Sequence, residues 1–200
     1  MKLKDFIKII LFGVLGFILL TGGSYIPAIF GVYAVYFGHV FGSILVGLIF
    51  YVMCHKIHKK YTIFIFYTLS GIIYTIMGFW PMLPIMVIVG AVGEGIIGKE
   101  ENYHNDKKIT IAFIVSQFLF SLHGLVFILI LKPEGLVKQF PDMFDAAMAK
   151  EMSDFLLNGK NLLILILIQL ILSYVGARLG LYIYKKFFAK TSSEDSLLKE

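Results

Sequence analysis

The residue best placed to do chemistry in this chain is Glu94. It stands in "VGAVGEGIIGK", Val89 to Lys99, among Gly90, Gly93, Gly95 and Gly98, with almost wholly apolar sequence on either side. A carboxylate in such surroundings is costly and by default suggests a function. Arg178, in the last apolar stretch, is the cation placed at a comparable depth. A structural Glu94–Arg178 ion pair is the preferred expectation, with the glycines allowing close helix approach. A role at a subunit interface and a role in ion or proton coupling stay open.

The histidines divide into two groups. His39 and His123 lie inside apolar stretches, either as hydrogen-bonded bundle residues or as pocket residues. His55 and His58 are spaced i, i+3 beside Cys54, so both imidazoles share a helix face. Their turn is basic and has no carboxylate nearby in sequence, so no metal is assigned there. There is no H-E-x-x-H, no G-x-S-x-G and no acidic pair within one apolar stretch, so no enzyme activity and no cofactor are expected. The G-x-x-x-x-G-K-[ST] phosphate loop is also absent, so any ATP-driven step belongs to another chain. Cys54, the single cysteine, can form no intrachain disulfide.

The elements that must position these residues are set by hydropathy. The 200 residues are 58% hydrophobic and 16% charged, with a mean hydropathy of +0.85. A soluble domain has about 25% charged residues. Several apolar runs reach the ~20 residues needed to cross the hydrocarbon core. The expected fold is an all-α polytopic membrane protein, a six-transmembrane-helix bundle. Its spans run from about Phe6 to Leu20, Ile26 to Cys54, Tyr61 to Phe79, the Trp80-Pro81 turn to Gly98, Ile109 to Leu131, and Asn161 to Phe188. Residues 1–190 form one transmembrane domain, and 191–200 a flexible cytoplasmic tail. The first run is read as a span and not as a cleaved signal peptide.

Charge sets the orientation. Fourteen of the eighteen Lys and Arg residues fall on the side of the two termini and the "HKIHKK" and "KEENYHNDKK" turns. Positive residues stay in the cytoplasm, so both termini are placed inside a cell (cytoplasmic) membrane. The net charge of +5 is thus read as topology, with no nucleic-acid partner. The segment from Lys132 to Lys160 then lies outside. In it Phe144, Met148, Met152, Phe155 and Leu156 form one apolar stripe of an amphipathic helix, capped by Asp142 and ended by Gly159. That helix in the external loop either rests on the headgroups or forms a lid, its methionines giving it an adaptable surface.

A ligand pocket needs apolar walls and a few placed polar groups. In the outer half these are Tyr25, Tyr33, Tyr36, His39, Tyr74, Trp80, Gln117, His123, Asn158 and Asn161. Tyr25 and Trp80 also suit an interfacial aromatic belt.

The order of pieces carries a resemblance. A basic "KLKDFIKI" leads into the first span, "YIP" follows it, and a basic turn follows the second. Then come "GFWP", an acidic residue near the end of the fourth span, a long outer segment and a closing "GARLGLYIYKKFF". The chain resembles, over nearly its whole length, the Trep_Strep (MptD-type) family of candidate S components of energy-coupling factor (ECF) transporters. That resemblance implies a small membrane protein that captures a vitamin or other micronutrient from outside. Its partners would be a transmembrane coupling subunit (EcfT-like) and two ATPase subunits, besides a small-molecule ligand and membrane lipid. It also implies that Gly13 and Gly16, small residues on the first span, dock the coupling subunit. The alternative function is a stand-alone secondary transporter of a small molecule.

Overall fold

The computed structural model describes residues 1–24 and 34–189, the side chains of 34–38 excepted. The expectations for Tyr25, Tyr33, the Tyr36 side chain and the tail 191–200 fall outside these residues. Eight α-helices make up most of the described chain: α1 Leu3–Ser24, α2 Ala34–Lys56, α3 Thr62–Ile76, α4 Met82–Ile97, α5 Asp106–Ser121, α6 His123–Gln139, α7 Ala146–Leu157 and α8 Gly159–Ile183. A 3-10 turn, Glu100–His104, precedes α5, and a π-helical turn, Tyr184–Phe188, extends α8. No strand occurs among the described residues.

Four stretches are long and apolar enough to cross a bilayer: Leu3–Ser24, His39–Lys56, Asp106–Gln139 and Gly159–Phe188. The expected third and fourth spans are shorter, with α3 of 15 residues and α4 of 16. The fifth departs from expectation too. It breaks at Leu122 into α5 and α6, and α6 runs beyond Leu131 to Gln139 across a kink at Lys132. Lys132 has φ 58° and ψ 169°, outside the helical region that Pro133 disfavours for the residue before it.

Six helices close into a ring: α1 packs on α2, α2 on α8, α8 on α5, α5 on α4, α4 on α3, and α3 back on α1. Phe50 of α2 meets Phe66 and Tyr67 of α3 and Phe113 of α5 across the ring, with centroids 5.0 to 6.2 Å apart. All four are buried. The outward faces carry exposed Leu11, Ile18, Ile88, Ile111 and Ile171, a surface suited to lipid and a liability in water.

Small residues set the helix distances. A Cβ on Gly47 would lie 2.5 Å from the Gly176 carbonyl oxygen, and one on Gly176 would lie 2.9 Å from Ile44 Cα. The α2–α8 contact is therefore backbone on backbone. Gly13 and Gly16 are likewise spent inside the chain, their missing Cβ atoms facing the Leu69 side chain and the Phe66 ring of α3. The resemblance gave them to a coupling-subunit interface; within this chain both are buried and packed on α3.

Candidate functional site

The end of the ring away from the basic turns holds a partly open cavity of about 190 Å³. It is built from the α2 start, the α3–α4 turn, the α5–α6 junction, α7 and the upper part of α8. Three of the expected polar residues line it together, His39, Tyr74 and His123. The break at Leu122 matters here, because it places His123 at a helix start with its Nδ1 2.7 Å from the Phe120 carbonyl. A carbonyl only accepts, so Nδ1 carries the proton and Nε2 is left as an acceptor. The His39 and His123 rings meet edge to face at 5.5 Å. His39 Nε2 is buried and has no partner among the described residues. Ser121 turns its hydroxyl back to Phe118 O. The rest of the described lining is aromatic, aliphatic or thioether apart from Gly124, and no charged side chain contributes among the described residues.

An aromatic arc walls the cavity. Tyr74 meets Phe79, Phe79 stacks on Phe140 at 5.1 Å, and Phe140 stacks on Phe127. Sequence reasoning missed Phe79 and favoured its neighbour Trp80, which is 49% exposed and outside the lining. The turn "GFWP" offers two adjacent aromatics, and only the direction of the turn decides which faces inward.

α7 covers one side. Its amphipathic pattern is as expected, but it starts later. Asp145, not Asp142, caps it by accepting from Met148 N at 2.8 Å. Gly159 begins α8 instead of ending α7. Met152 and Leu156, with Phe144 just before the helix, line the cavity. Met148 is 42% exposed and turns away. Phe155 packs against the core outside the lining.

The remaining expected residues have structural partners. Gln117 is fully buried and donates to the Tyr67 hydroxyl at 3.1 Å, tying α5 to α3 below the cavity. Asn158 is the N-cap of α8, accepting from Lys160 N and Asn161 N. Asn161 is part of that first turn and does not line the cavity.

Glu94 is the principal correction. Its carboxylate accepts from Tyr61 N at 2.8 Å, Ile63 N at 3.1 Å and Phe64 N at 3.4 Å, and from the Tyr103 hydroxyl at 2.7 Å. The first amides of a helix have no intrahelical acceptor and carry the positive end of its dipole. α3 has no side-chain cap of its own, because its N-cap residue is Tyr61, held at φ 73°. Glu94 of α4 supplies that cap from the neighbouring helix. Glu100 extends it, accepting from Lys60 N at 3.1 Å and lying 3.4 Å from Lys59 Nζ. Burial, reinforced by Cys54 and Glu94, pushes the Tyr103 hydroxyl well above its usual pKa, so it remains a donor. Arg178 is exposed and makes no contact with Glu94 among the described ion pairs.

Gly90 and Gly93 bring α4 close enough for this. A Cβ on Gly90 would lie 2.9 Å from Phe64 O, and one on Gly93 2.5 Å from Ser116 Oγ. Gly98 ends the helix at φ 74°, whereas Gly95 faces open space.

The other basic-end groups go to separate partners. His55 stacks on Tyr184 at 4.1 Å and its Nε2 lies 3.1 Å from Asp106, which also pairs with Lys185 at 2.8 Å. His58 packs on His104 with centroids 3.8 Å apart. Burial, then the neighbouring His104, His55 and Lys59, lower the His58 pKa to about 4. An unfolded histidine titrates near 6.5. Between these values the unfolded chain binds the extra proton, so stability rises with pH. The melting midpoint in detergent is expected to fall as pH drops from about 6.5 towards 4, and a His58→Gln variant to lose part of that fall. An unchanged profile in the variant would assign the effect to other groups.

Comparison with known proteins gives one match. The family model described as hypothetical bacterial integral membrane protein (Trep_Strep) matches residues 3–190. No curated protein and no solved structure matches the chain.

Proposed function

The chain belongs to the Trep_Strep family of hypothetical bacterial integral membrane proteins, and we propose that within it this protein is a substrate-binding subunit, an S component, of an ECF-type importer. In this reading α3 and α4 cross the bilayer as a paired hairpin, making six spans, with both termini cytoplasmic. The protein captures a vitamin or other micronutrient from outside and performs no chemistry on it. A transmembrane coupling subunit and two ATPase subunits supply the energy for release.

The observation that carries the reading is the cavity at the end opposite the basic turns, whose lining among the described residues has no charged side chain. Positive residues favour the cytoplasmic side, which turns the cavity outward. Beneath it, Phe50, Phe66, Tyr67 and Phe113 fill the ring, an arrangement suited to holding a ligand and poorly suited to conducting one. A secondary transporter would want an ionisable relay through the bilayer. Glu94, the foremost candidate for one, is committed to the start of α3.

The test is purification of the full chain, with mass spectrometry of any retained small molecule and of co-purifying subunits. A retained ligand together with a coupling subunit and ATPases supports the reading. Uptake by this chain alone, driven by an ion gradient, overturns it in favour of a secondary transporter. His39→Leu removes one polar contact from the cavity, worth about 1–1.5 kcal/mol. Ligand retention is expected to weaken about tenfold, by that energy, while the folded fraction on size exclusion stays as in the parent chain.

A further inference from the structure

A second hollow lies at the basic end, between α1, α2 and the π-helical turn after α8. It is a groove of about 400 Å³ lined by Lys8, Leu11, Phe12, Leu15, Val52, Lys56 and Phe188. Its register has a pattern. Lys8, Leu11, Phe12 and Leu15 are spaced i, i+3, i+4, i+7, one face of α1. Val52 and Lys56 are spaced i, i+4 on α2. The two lysines therefore stand at one end of the groove, and its described lining beyond them is apolar. Neither lysine takes part in an ion pair among the described residues.

Two lysines without an ion pair among the described residues, at the end of an apolar trough, form an amphipathic shape. Lysine is a point-charge phosphate binder, and basic pockets between membrane helices on one leaflet suit anionic headgroups. We propose that this groove is a binding site for one phospholipid of net negative headgroup. The phosphate sits between Lys8 and Lys56, and an acyl chain lies along Leu11, Leu15 and Val52. Inorganic phosphate offers the charge without the chain, and a zwitterionic lipid offers the chain without the net charge. Neither matches both halves of the groove.

The experiment is native mass spectrometry of the full chain released from nanodiscs of phosphatidylcholine doped with phosphatidylglycerol. One phosphatidylglycerol per chain is expected to survive at activation energies that strip phosphatidylcholine. The Lys8→Gln/Lys56→Gln variant is expected to lose at least tenfold in that retention, and Leu15→Gln to lose a smaller factor. Both variants are expected to keep the parent melting midpoint in pure phosphatidylcholine. Equal retention of the two lipids would overturn the assignment. So would a double variant that keeps its phosphatidylglycerol, displacement of the lipid by millimolar inorganic phosphate, or a polypeptide found seated on the groove in its place.

Discussion

Glu94→Ala is expected to lower the stability of the protein by about 2–4 kcal/mol, while Arg178→Ala leaves it within about 0.5 kcal/mol. The first figure follows from what the carboxylate does. Removing it strands three backbone amides and the Tyr103 hydroxyl, all of which donate to it. A hydrogen bond to a charged group contributes about 1.5–3 kcal/mol, and a buried donor left unmet costs about 1–3 kcal/mol. Tyr61 is at an exposed position where water replaces part of the loss, which keeps the total below the sum of four such terms. Glu94→Gln is expected to fall between the two, since its amide oxygen still accepts while its NH2 faces donors. Arg178 is an exposed side chain without a bonded partner among the described ion pairs, and surface substitutions of that kind are usually small. Melting midpoints in one detergent would compare all three. Equal losses for Glu94→Ala and Arg178→Ala would restore the ion pair and sink the capping account.

The second large effect is steric. Gly176→Leu and Gly47→Leu are each expected to prevent accumulation of folded protein, where Gly95→Ala is neutral or slightly stabilising. Any Cβ at Gly47 or Gly176 meets backbone of the opposite helix within 3 Å, so the helices must separate. Gly180 behaves alike, its missing Cβ facing the Gly47 carbonyl. Overpacking typically costs about 1–3 kcal/mol and more where relief requires backbone movement. Gly95 faces open space in the same kind of helix, and alanine there gains about 0.5–1 kcal/mol of helix propensity. Fluorescence-detected size exclusion of tagged variants reads the difference. A monodisperse Gly176→Leu protein at parental yield would show that α2 and α8 are not locked together.

The same two sites show how much of the structure was legible in the sequence. Apolar runs marked the four described stretches long enough to cross a bilayer, because hydropathy is a property of the run itself. The amphipathic helix was legible from its stripe, though Asp142 and Asp145 are both plausible caps and only the backbone decides between them. His39, Tyr74 and His123 were found because polar or aromatic side chains in apolar runs are few. Gln117 carried the same signal yet turned to Tyr67, since one helix has several faces and the pattern does not say which faces a cavity. The partner of Glu94 was misread by looking for opposite charge alone. A usable signal was present. α3 and α4 form an antiparallel pair about the Gly78-Phe79 turn, and Ile63 and Glu94 are each fifteen residues from it. Gly71 and Met86, each seven residues away, are also neighbours. Counting outward from the turn sets Glu94 beside the bare amides of α3. The break at Leu122 left no such trace, having neither proline nor glycine at the residue itself.

The brevity of α3 and α4 bears on the surrounding membrane. At 1.5 Å per residue their 15 and 16 residues reach about 22–24 Å, against a hydrocarbon thickness of about 30 Å. A proposed transmembrane hairpin of that length leaves a hydrophobic mismatch on one flank only, since α1 and α8 have 22 and 25 residues. Lipid beside α3 and α4 must thin while lipid on the far side need not. The protein thus sits in a lopsided annulus that favours tilting, and shorter acyl chains relieve it.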